Sequence, residues 1–316
     1  MSIAAMSCVA PFAARKGRAN LVPVHFVYHV PKCAGQTIDG HFSSLLPKSA
    51  YYKTAKRRGP GRFLFTRHDL GKLTDPSGTR VVVGHFLGVS LDAYFAGRPV
   101  KRSILLRDPV SHSLSYYNFR MMRYLSCGFH PYSFDVAYGA MQRNFITHYI
   151  LRRFLELSWA RVAGLSDEDK YDLVNAFLSK FWYVADYRLC NDLIDAIGTR
   201  LGVAGAATPK NTQAQWEHHV GWKSLEHADL STGMIARIES ENLIDQRLWE
   251  TWRGARNEVA QVRPRALGNP RATGFISDEA VRLVNQIARR MQRRWGAVHG
   301  PQVPAPLAEG SSAVPV

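Results

Sequence analysis

The feature that most constrains the fold is an apolar run that stops at a proline and continues into a helical pattern. Residues 24–30 are rich in β-branched and aromatic side chains, which is typical of a buried strand. Pro31 ends that strand because it has no N–H to give to a neighbour. Ala34 and Gly35 are small enough for a ligand to approach the backbone. Thr37 is a candidate N-cap or first-turn residue of the helix that follows.

A helix N-terminus after a small-residue turn favours anions, because its backbone N–H groups and its dipole point to one place. Lys32 adds a mobile positive charge beside this turn. The pattern is not a Walker A motif, since no Gly-x-x-x-x-Gly-Lys-Ser/Thr is present and the lysine precedes the small residues. Two interpretations stay open on this segment alone: a phosphate site of another design, or an ordinary strand–helix connection with a solvated lysine.

Further buried strands are predicted along the chain, and helical patterns alternate with them. The strand candidates are Arg62–Thr66, Thr79–Phe86, Arg102–Leu106 and Phe181–Asp186. This alternation predicts an α/β fold with a central, mostly parallel sheet flanked by helices. Ligands of such sheets gather at the carboxyl ends of the strands. Lys32, His85 and Arg107 each follow such an end, so we expect the three side chains to converge.

Capping residues and apolar spacing predict where the helices lie. Asp108 and Pro109 suit an N-cap and a first helical residue, and the helix they open continues to Leu125. Ser166 opens another helix. Helices are predicted over Phe134–Phe154, Asp167–Lys180, Leu189–Leu201, Glu239–Val262 and Asp278–Trp295, and a basic, turn-rich loop over Lys48–Gly61. The helices after the last strand candidate indicate an extra C-terminal helical part.

Length and charge bound the class of protein. The 316 residues can bury one large core or two small ones, and we expect a flexible leader over 1–20, one domain over 21–298 and a disordered tail over 299–316. A formal charge of +16 implies anionic partners. Nucleic acid, an acidic polysaccharide, a membrane surface and a phosphorylated cofactor each satisfy that charge.

Cysteine usage and hydropathy indicate a compartment. The cysteines Cys8, Cys33, Cys127 and Cys190 show neither C-x-x-C pairing nor zinc-ligand spacing, which favours a reduced compartment without structural zinc. No apolar core of signal-peptide length opens the chain, and no later run reaches the roughly 20 apolar residues that span a bilayer. We therefore expect a cytoplasmic protein without a transmembrane segment.

Two motifs together resemble those of a known enzyme family. His29–Thr37 reads His-Val-Pro-Lys-Cys-Ala-Gly-Gln-Thr and resembles the 5′-phosphosulfate loop of sulfotransferases, roughly His-Ile-Pro-Lys-Thr-Gly-Gly-Thr-Ser. Leu106–Tyr117 resembles the same family's 3′-phosphate motif, Leu-Arg-Asp-Pro-Val-x-Arg-x-x-Ser-x-Tyr. Asn144–Leu151, Tyr183–Gly202 and Asn242–Trp249 are similar to later segments of the family. The pattern is nearest to carbohydrate sulfotransferases, which include heparan sulfate 2-O-sulfotransferase and many bacterial members.

The resemblance implies a P-loop-like, three-layer fold and transfer of a sulfuryl group from 3′-phosphoadenosine 5′-phosphosulfate to an acceptor hydroxyl. Lys32 would neutralise charge that grows on the bridging oxygen. Arg107 and Ser115 would bind the 3′-phosphate, and His85 is the candidate general base. No metal is required. The backbone N–H groups that would bind the 5′-phosphate belong to Cys33, Ala34, Gly35, Gln36 and Thr37.

Three positions depart from the family pattern. Gln36 stands where a small hydroxyl residue is usual. His112 replaces the commoner arginine, which predicts a weaker or pH-sensitive grip on the 3′-phosphate. The family's His-x-His is reduced to His85, with Val83 in the other place, and a satisfied histidine at a strand end is the alternative interpretation of His85. His29 is interpreted as support for Lys32 rather than as a catalyst.

Two other classes of function stay open. A nucleoside-triphosphate-dependent phosphotransferase would need a Walker lysine after the glycines and a carboxylate for magnesium, and the sequence offers no convincing pair. A non-catalytic polyanion-binding protein leaves the apolar strands that lead into Lys32 and Arg107 unexplained. The acceptor is a saccharide by resemblance only, and a glycolipid or a small metabolite stays open. No specific nucleic-acid partner is expected.

Overall fold

The computed structural model of the protein describes residues 22–54, 76–95, 97–127, 130–203, 205 and 223–254. Within these residues one sheet has the order β2-β3-β1-β4-β5, and every adjacent pair of strands is parallel. The predicted α/β fold with a parallel central sheet is confirmed. The strands are β1 (Val24–Tyr28), β2 (Tyr51–Lys53), β3 (Val81–Gly84), β4 (Val100–Leu106) and β5 (Tyr183–Asp186).

Helices occupy most of the remaining described chain. The described chain also contains a π-helical turn at Ile150–Phe154 and 3₁₀ turns at Val89–Phe95, Tyr187–Leu189 and His227–Asp229. No helix in the described ranges is both long and apolar enough to cross a bilayer. The helices are α1 (Gly35–Leu45), α2 (Pro109–Ser126), α3 (Phe134–Gly139), α4 (Phe145–Tyr149), α5 (Trp159–Ala163), α6 (Asp167–Leu178), α7 (Cys190–Leu201), α8 (Thr232–Glu241) and α9 (Leu243–Trp252).

Side-chain alternation along β1 shows which helices cover each face of the sheet. The ring of Tyr28 packs edge-on against Phe177 of α6, with 5.8 Å between centroids. The His25 ring packs instead against Trp182, with 5.4 Å between centroids. The guanidinium of Arg200, on α7, lies over the same Trp182 ring. Successive strand residues point to opposite faces, so α6 and α7 cover opposite sides of β1. The three-layer arrangement is thereby confirmed, and all of β1 is buried.

Two predicted helix starts are confirmed by their caps. Asp108 caps α2 by accepting a hydrogen bond from the Ser111 N–H at 2.8 Å, and Pro109 is the first helical residue. Ser166 caps α6 through a reciprocal pair of hydrogen bonds with Asp169. Both starts satisfy N–H groups that the helix itself cannot bond.

The predicted helical segment Phe134–Phe154 is mostly helical, but it is not one continuous helix. The chain leaves the helix between α3 and α4, where Asn144 adopts a left-handed backbone with φ of 48°. Nη1 of Arg143 donates to the carbonyl oxygens of Tyr138 and Met141, at 2.8 and 2.7 Å, and thereby satisfies groups at the end of α3. Apolar spacing continued through the break, so the pattern did not reveal it.

Other predicted limits of helices and strands differ from those in the structure. Ala34, not Thr37, is the N-cap of α1, which leaves Thr37 in the first turn. β2 lies inside the predicted loop Lys48–Gly61, and the predicted helix over Glu239–Val262 begins earlier, in α8, and is interrupted at Asn242. The predicted strand Arg62–Thr66, the helix Asp278–Trp295, the leader 1–20, the tail 299–316 and the end of Glu239–Val262 lie outside the described residues.

Candidate functional site

The 29–34 loop, which joins β1 to α1, lies between the ends of the two strands that flank β1. His85 comes directly after β3, and Arg107 comes directly after β4. Nδ1 of His85 lies 2.9 Å from the carbonyl oxygen of His29, and Nη1 of Arg107 lies 3.0 Å from that of Lys32. The structure thus brings Lys32, His85 and Arg107 to one edge of the sheet, around one loop.

The backbone of the 29–34 loop is unusual at two residues that are not glycine. Lys32 and Ala34 have φ of 69° and 57°, in the left-handed region. Each such residue costs on the order of 1 kcal/mol, so the surroundings must hold it. Ladder bonding ends with the His29 N–H on the Gly84 oxygen at 3.0 Å, and Pro31 has no N–H. Beyond that point the loop is held by a backbone bond, from the Cys33 N–H to the Val30 oxygen, and by side-chain donors.

Lys32 carries a partly buried amine. Its Nζ lies 4.3 Å from the centroid of the Phe119 ring on α2. Burial, followed by the positive charge of Arg107, lowers the pKa of Lys32 to about 8. An anion beside this amine would favour the charged form and raise the pKa again. Lys32 is therefore suited to binding negative charge at the loop.

Arg107 offers a second cation whose hydrogen bonding is incomplete. Its guanidinium lies 4.0 Å from the centroid of the Tyr187 ring. Within the described residues its Nε is buried without a hydrogen-bond partner. Ser115, half-buried on α2, is one helical turn from Phe119 and so lies on the side of that helix that meets Lys32. An anion that reached Arg107 could supply an acceptor for the unbonded hydrogen.

The backbone N–H groups predicted to bind the 5′-phosphate are not all available. The N–H of Cys33 donates to the Val30 oxygen at 3.2 Å, and that of Thr37 donates to the Ala34 oxygen at 3.0 Å. The candidate N–H donors to a phosphate at the start of α1 are therefore those of the turn around Ala34 and Gly35. Gln36 is exposed on the first turn of this helix. The prediction that these five residues bind the 5′-phosphate stays a prediction, with the N–H groups of Cys33 and Thr37 bonded inside the loop and the helix.

Two further features of the turn restrict its chemistry. Burial raises the pKa of the Cys33 thiol to about 12, so Cys33 is not a thiolate nucleophile. A Cβ on Gly35 would lie 1.9 Å from Cδ2 of His29, so no larger residue fits there while that ring stays in place. His29 is itself buried, and burial lowers its pKa well below the usual value. It supports the turn by filling the space against Gly35.

His85 has a defined tautomer. A carbonyl oxygen only accepts, so the hydrogen of His85 must lie on Nδ1 and the lone pair on Nε2. The ring stacks on His29 with 3.9 Å between centroids, and Tyr149 donates its hydroxyl to the His85 carbonyl oxygen at 3.1 Å. Burial lowers the pKa of His85, and the charge of Lys53 acts in the same direction. His85 is thus neutral at neutral pH and can accept a proton at Nε2.

His112 does not extend into solvent. It is buried on α2, and its Nε2 lies 3.1 Å from the carbonyl oxygen of Pro31. Burial lowers the pKa of His112 to about 4, so the imidazole is uncharged at neutral pH, and the weaker or pH-sensitive grip on the 3′-phosphate stays a prediction. Beyond the ring lies a cavity of about 230 Å³, whose wall also includes Tyr116, Arg120 and Asp245.

The sequence analysis missed two residues at this edge. Tyr187 and Arg188 follow β5 as Lys32, His85 and Arg107 follow their strands. Arg188 is largely exposed, with its guanidinium 3.8 Å from carboxylate oxygens of both Asp108 and Asp186. The rule that ligands gather at strand ends was a signal that could have found both.

The weaker motifs, Asn144–Leu151 and Asn242–Trp249, meet at the start of α4. The Asn144 N–H donates to Oδ1 of Asn242 at 2.8 Å, and Oδ1 of Asn144 accepts the N–H of Asp245 at 3.2 Å. The carboxylate of Asp245 accepts the N–H groups of Ile146 and Thr147, at 2.9 and 2.8 Å. These bonds fix α4 to α9, so these polar residues have a clear structural role.

Comparisons with protein-family models, with curated proteins and with solved structures find no match for this chain. The resemblance to sulfotransferases stays a prediction that depends on the two motifs and on the site they form.

Proposed function

We propose that this chain is a sulfotransferase that moves a sulfuryl group from 3′-phosphoadenosine 5′-phosphosulfate to a hydroxyl of a saccharide or glycoconjugate. The observation that supports the proposal is that Lys32, His85 and Arg107 meet around the 29–34 loop. Lys32 and Arg107 supply two cations on one side of it, at a helix N-terminus, and His85 supplies a proton acceptor on the other. A doubly phosphorylated donor needs two such cations, and an attacking hydroxyl needs a base.

In the proposed reaction the acceptor oxygen forms a bond to sulfur while the bond from sulfur to the bridging phosphate oxygen breaks. Lys32 neutralises the charge that develops on the bridging oxygen. Nε2 of His85 takes the proton of the hydroxyl, and Arg107 holds the 3′-phosphate. The products are a sulfate ester and adenosine 3′,5′-bisphosphate, so atoms and charge balance without a metal.

We also propose a cytoplasmic location for this reaction. Cys33, Cys127 and Cys190 form no disulfide within the described residues. A protein that works in a reduced compartment has no need of such bonds. Location of the tagged full-length chain by cell fractionation tests this part of the proposal by itself.

Calorimetry with adenosine 3′,5′-bisphosphate tests the donor site. We expect this product to bind more tightly than adenosine 5′-monophosphate, because only the bisphosphate engages both cations. ATP with magnesium is the matched comparison for a phosphotransferase. Tighter binding of ATP–magnesium than of the bisphosphate would contradict the proposal, as would salt-dependent binding of nucleic acid that the bisphosphate does not affect.

A transfer assay then identifies the acceptor. Radiolabelled donor is offered with a panel of saccharides, glycolipids and small hydroxyl compounds, and labelled products are separated by chromatography. Transfer to a saccharide supports the full proposal. Transfer only to another class keeps the sulfotransferase but corrects the acceptor, and no transfer by a protein that binds the bisphosphate contradicts catalysis.

A further inference from the structure

His112 is the residue of the site whose place the sequence motif does not explain. The 3′-phosphate motif has an arginine at its position, yet the structure has a buried imidazole directed at the 29–34 loop. We propose that His112 is a positioning residue, whose Nε2 hydrogen holds the Pro31 carbonyl and thereby fixes Lys32 in its left-handed conformation. What Lys32 then does for the donor depends on the proposed function, whereas its placement does not.

The 29–34 loop is held by side-chain donors from three separate elements. His85, after β3, donates to the His29 oxygen, and Arg107, after β4, donates to the Lys32 oxygen. His112, on α2, donates to the Pro31 oxygen between them. A carbonyl accepts and never donates, so the hydrogen of His112 lies on Nε2. Loss of the middle bond would release the peptide that precedes the strained Lys32.

The ring of His112 is itself fixed in direction. It is 6% exposed and stacks on Phe145 of α4, with 5.1 Å between centroids and 29° between planes. The Tyr116 ring, one turn further along α2, also stacks on the His112 ring, with 6.3 Å between centroids. Asp245 holds the start of α4 through the Ile146 N–H, so the position of Phe145 is also constrained. Within the described part of the chain, the Nε2 hydrogen of this fixed ring is directed at the Pro31 oxygen.

A neutral donor suits this position for an electrostatic reason. Lys32 and Arg107 are the nearby cations and Asp108 the nearby anion that act on His112. Burial keeps the imidazole uncharged, so it bonds to the loop without a third positive charge beside the two cations. A charged guanidinium at the same buried place would repel both of them.

Two substitutions separate the hydrogen bond from the ring. His112→Phe keeps an aromatic ring without a donor, and His112→Gln keeps a donor at the place of Nε2 without the ring. The readout is the titration of Lys32, followed by NMR of protein labelled at lysine Cε and assigned by loss of the signal in Lys32→Arg. In His112→Phe we expect the Lys32 pKa to rise from about 8 toward the 10.5 of free lysine, and in His112→Gln to stay near the wild-type value.

The outcomes decide the proposal without an activity measurement. An unchanged Lys32 titration in His112→Phe overturns it, and an equal rise in both variants assigns the effect to the ring and overturns the role of the hydrogen bond. The wild-type protein offers a test that needs no variant to fold: NMR should find the imidazole hydrogen of His112 on Nε2, exchanging slowly, and the opposite tautomer overturns the proposal. If the titrations follow expectation but the bisphosphate does not bind, the proposed function fails while the placement of Lys32 stands.

Discussion

The rings of His29 and His85 stack with 3.9 Å between centroids and 26° between planes, at the ends of neighbouring strands. The same two residues share the bond from Nδ1 of His85 to the His29 oxygen. The stack limits rotation of the His85 ring, and the bond fixes its tautomer. One pair of contacts thus prepares Nε2 as a base before any acceptor arrives.

Replacement of His85 by alanine should separate catalysis from donor binding. We expect turnover to fall by about a hundredfold to ten-thousandfold, the usual contribution of a positioned general base. Affinity for adenosine 3′,5′-bisphosphate should change far less than turnover, since Arg107 and His112 still hold the loop that carries Lys32. Steady-state kinetics and calorimetry measure the two quantities. The exposed His227→Ala is the control, and wild-type turnover in His85→Ala would remove His85 from the mechanism.

The pH dependence of turnover follows from the same residue. Burial lowers the pKa of His85 below the 6.5 of free histidine, so the base is neutral and active at neutral pH. Activity should fall as pH decreases through that lowered pKa, as the proton occupies Nε2. A pH profile of kcat measures this decrease. If kcat already falls on the acid side at a pH above about 7, the decrease belongs to another titratable group.

Loss of either cation should weaken donor binding. A charge-assisted contact contributes roughly 1.5–3 kcal/mol, so Lys32→Ala and Arg107→Ala should each reduce affinity for the bisphosphate between about tenfold and about a hundredfold. Calorimetry measures the affinity, and thermal unfolding checks the fold. Arg247→Ala removes an equal charge from an exposed pair with Glu168, and it should bind like the wild type. Equal weakening in all three variants would indicate bulk charge instead of a site.

Gly35→Ala should destabilise the 29–34 loop. The added Cβ would meet the His29 ring 1.9 Å away, so the ring or the turn must move. We expect a loss of about 1–3 kcal/mol in the free energy of unfolding and weaker bisphosphate binding. Gly233→Ala on α8 is the matched control, because its Cβ meets nothing within 4 Å. It should be neutral or stabilising by up to about 1 kcal/mol, and equal losses in both variants would refute the steric argument.

The buried His25 should make the protein sensitive to acid. Its side chain is fully buried, and neither ring nitrogen has a hydrogen-bond partner among the described residues. Burial, with the charges of Arg200 and Lys101, lowers its pKa from 6.5 to about 4. Well above pH 6.5 the residue is neutral in both the folded and the unfolded chain and contributes no pH dependence. Between pH 6.5 and about 4 only the unfolded chain binds the proton, so stability falls by roughly 1.4 kcal/mol per pH unit.

His25→Phe isolates this contribution. The substitution keeps a ring of similar size and gives up no hydrogen bond, so it should reduce the acid slope and preserve stability at neutral pH. Urea unfolding at several pH values measures the slope for both proteins. The exposed His227→Phe should keep the wild-type slope, and an unchanged slope in His25→Phe would show that other groups dominate.

Local signals explain what the sequence predicted well. Val24–Tyr28 is apolar apart from His25 because a central strand is covered on both faces, and Asp108 with Pro109 marks a helix start through backbone chemistry alone. The convergence of Lys32, His85 and Arg107 followed from the general rule for parallel sheets. None of these inferences needs contacts between distant segments.

Distant contacts explain what the sequence did not reveal. The break between α3 and α4 depends on Asn242, 98 residues after Asn144, so helical periodicity near the break contains no sign of it. The N-cap at Ala34 depends on a left-handed turn, where glycine would be the usual signal. The contact of His112 with Pro31 joins residues 81 positions apart, and only the folded sheet brings them together.

Asn144 and Asn242 each complete the turn in which the other lies. Each side-chain oxygen accepts from backbone N–H groups of the other turn, so each asparagine is required by a segment almost a hundred residues away. Divergent descendants of this chain should therefore retain both residues for as long as the helix is broken at this place.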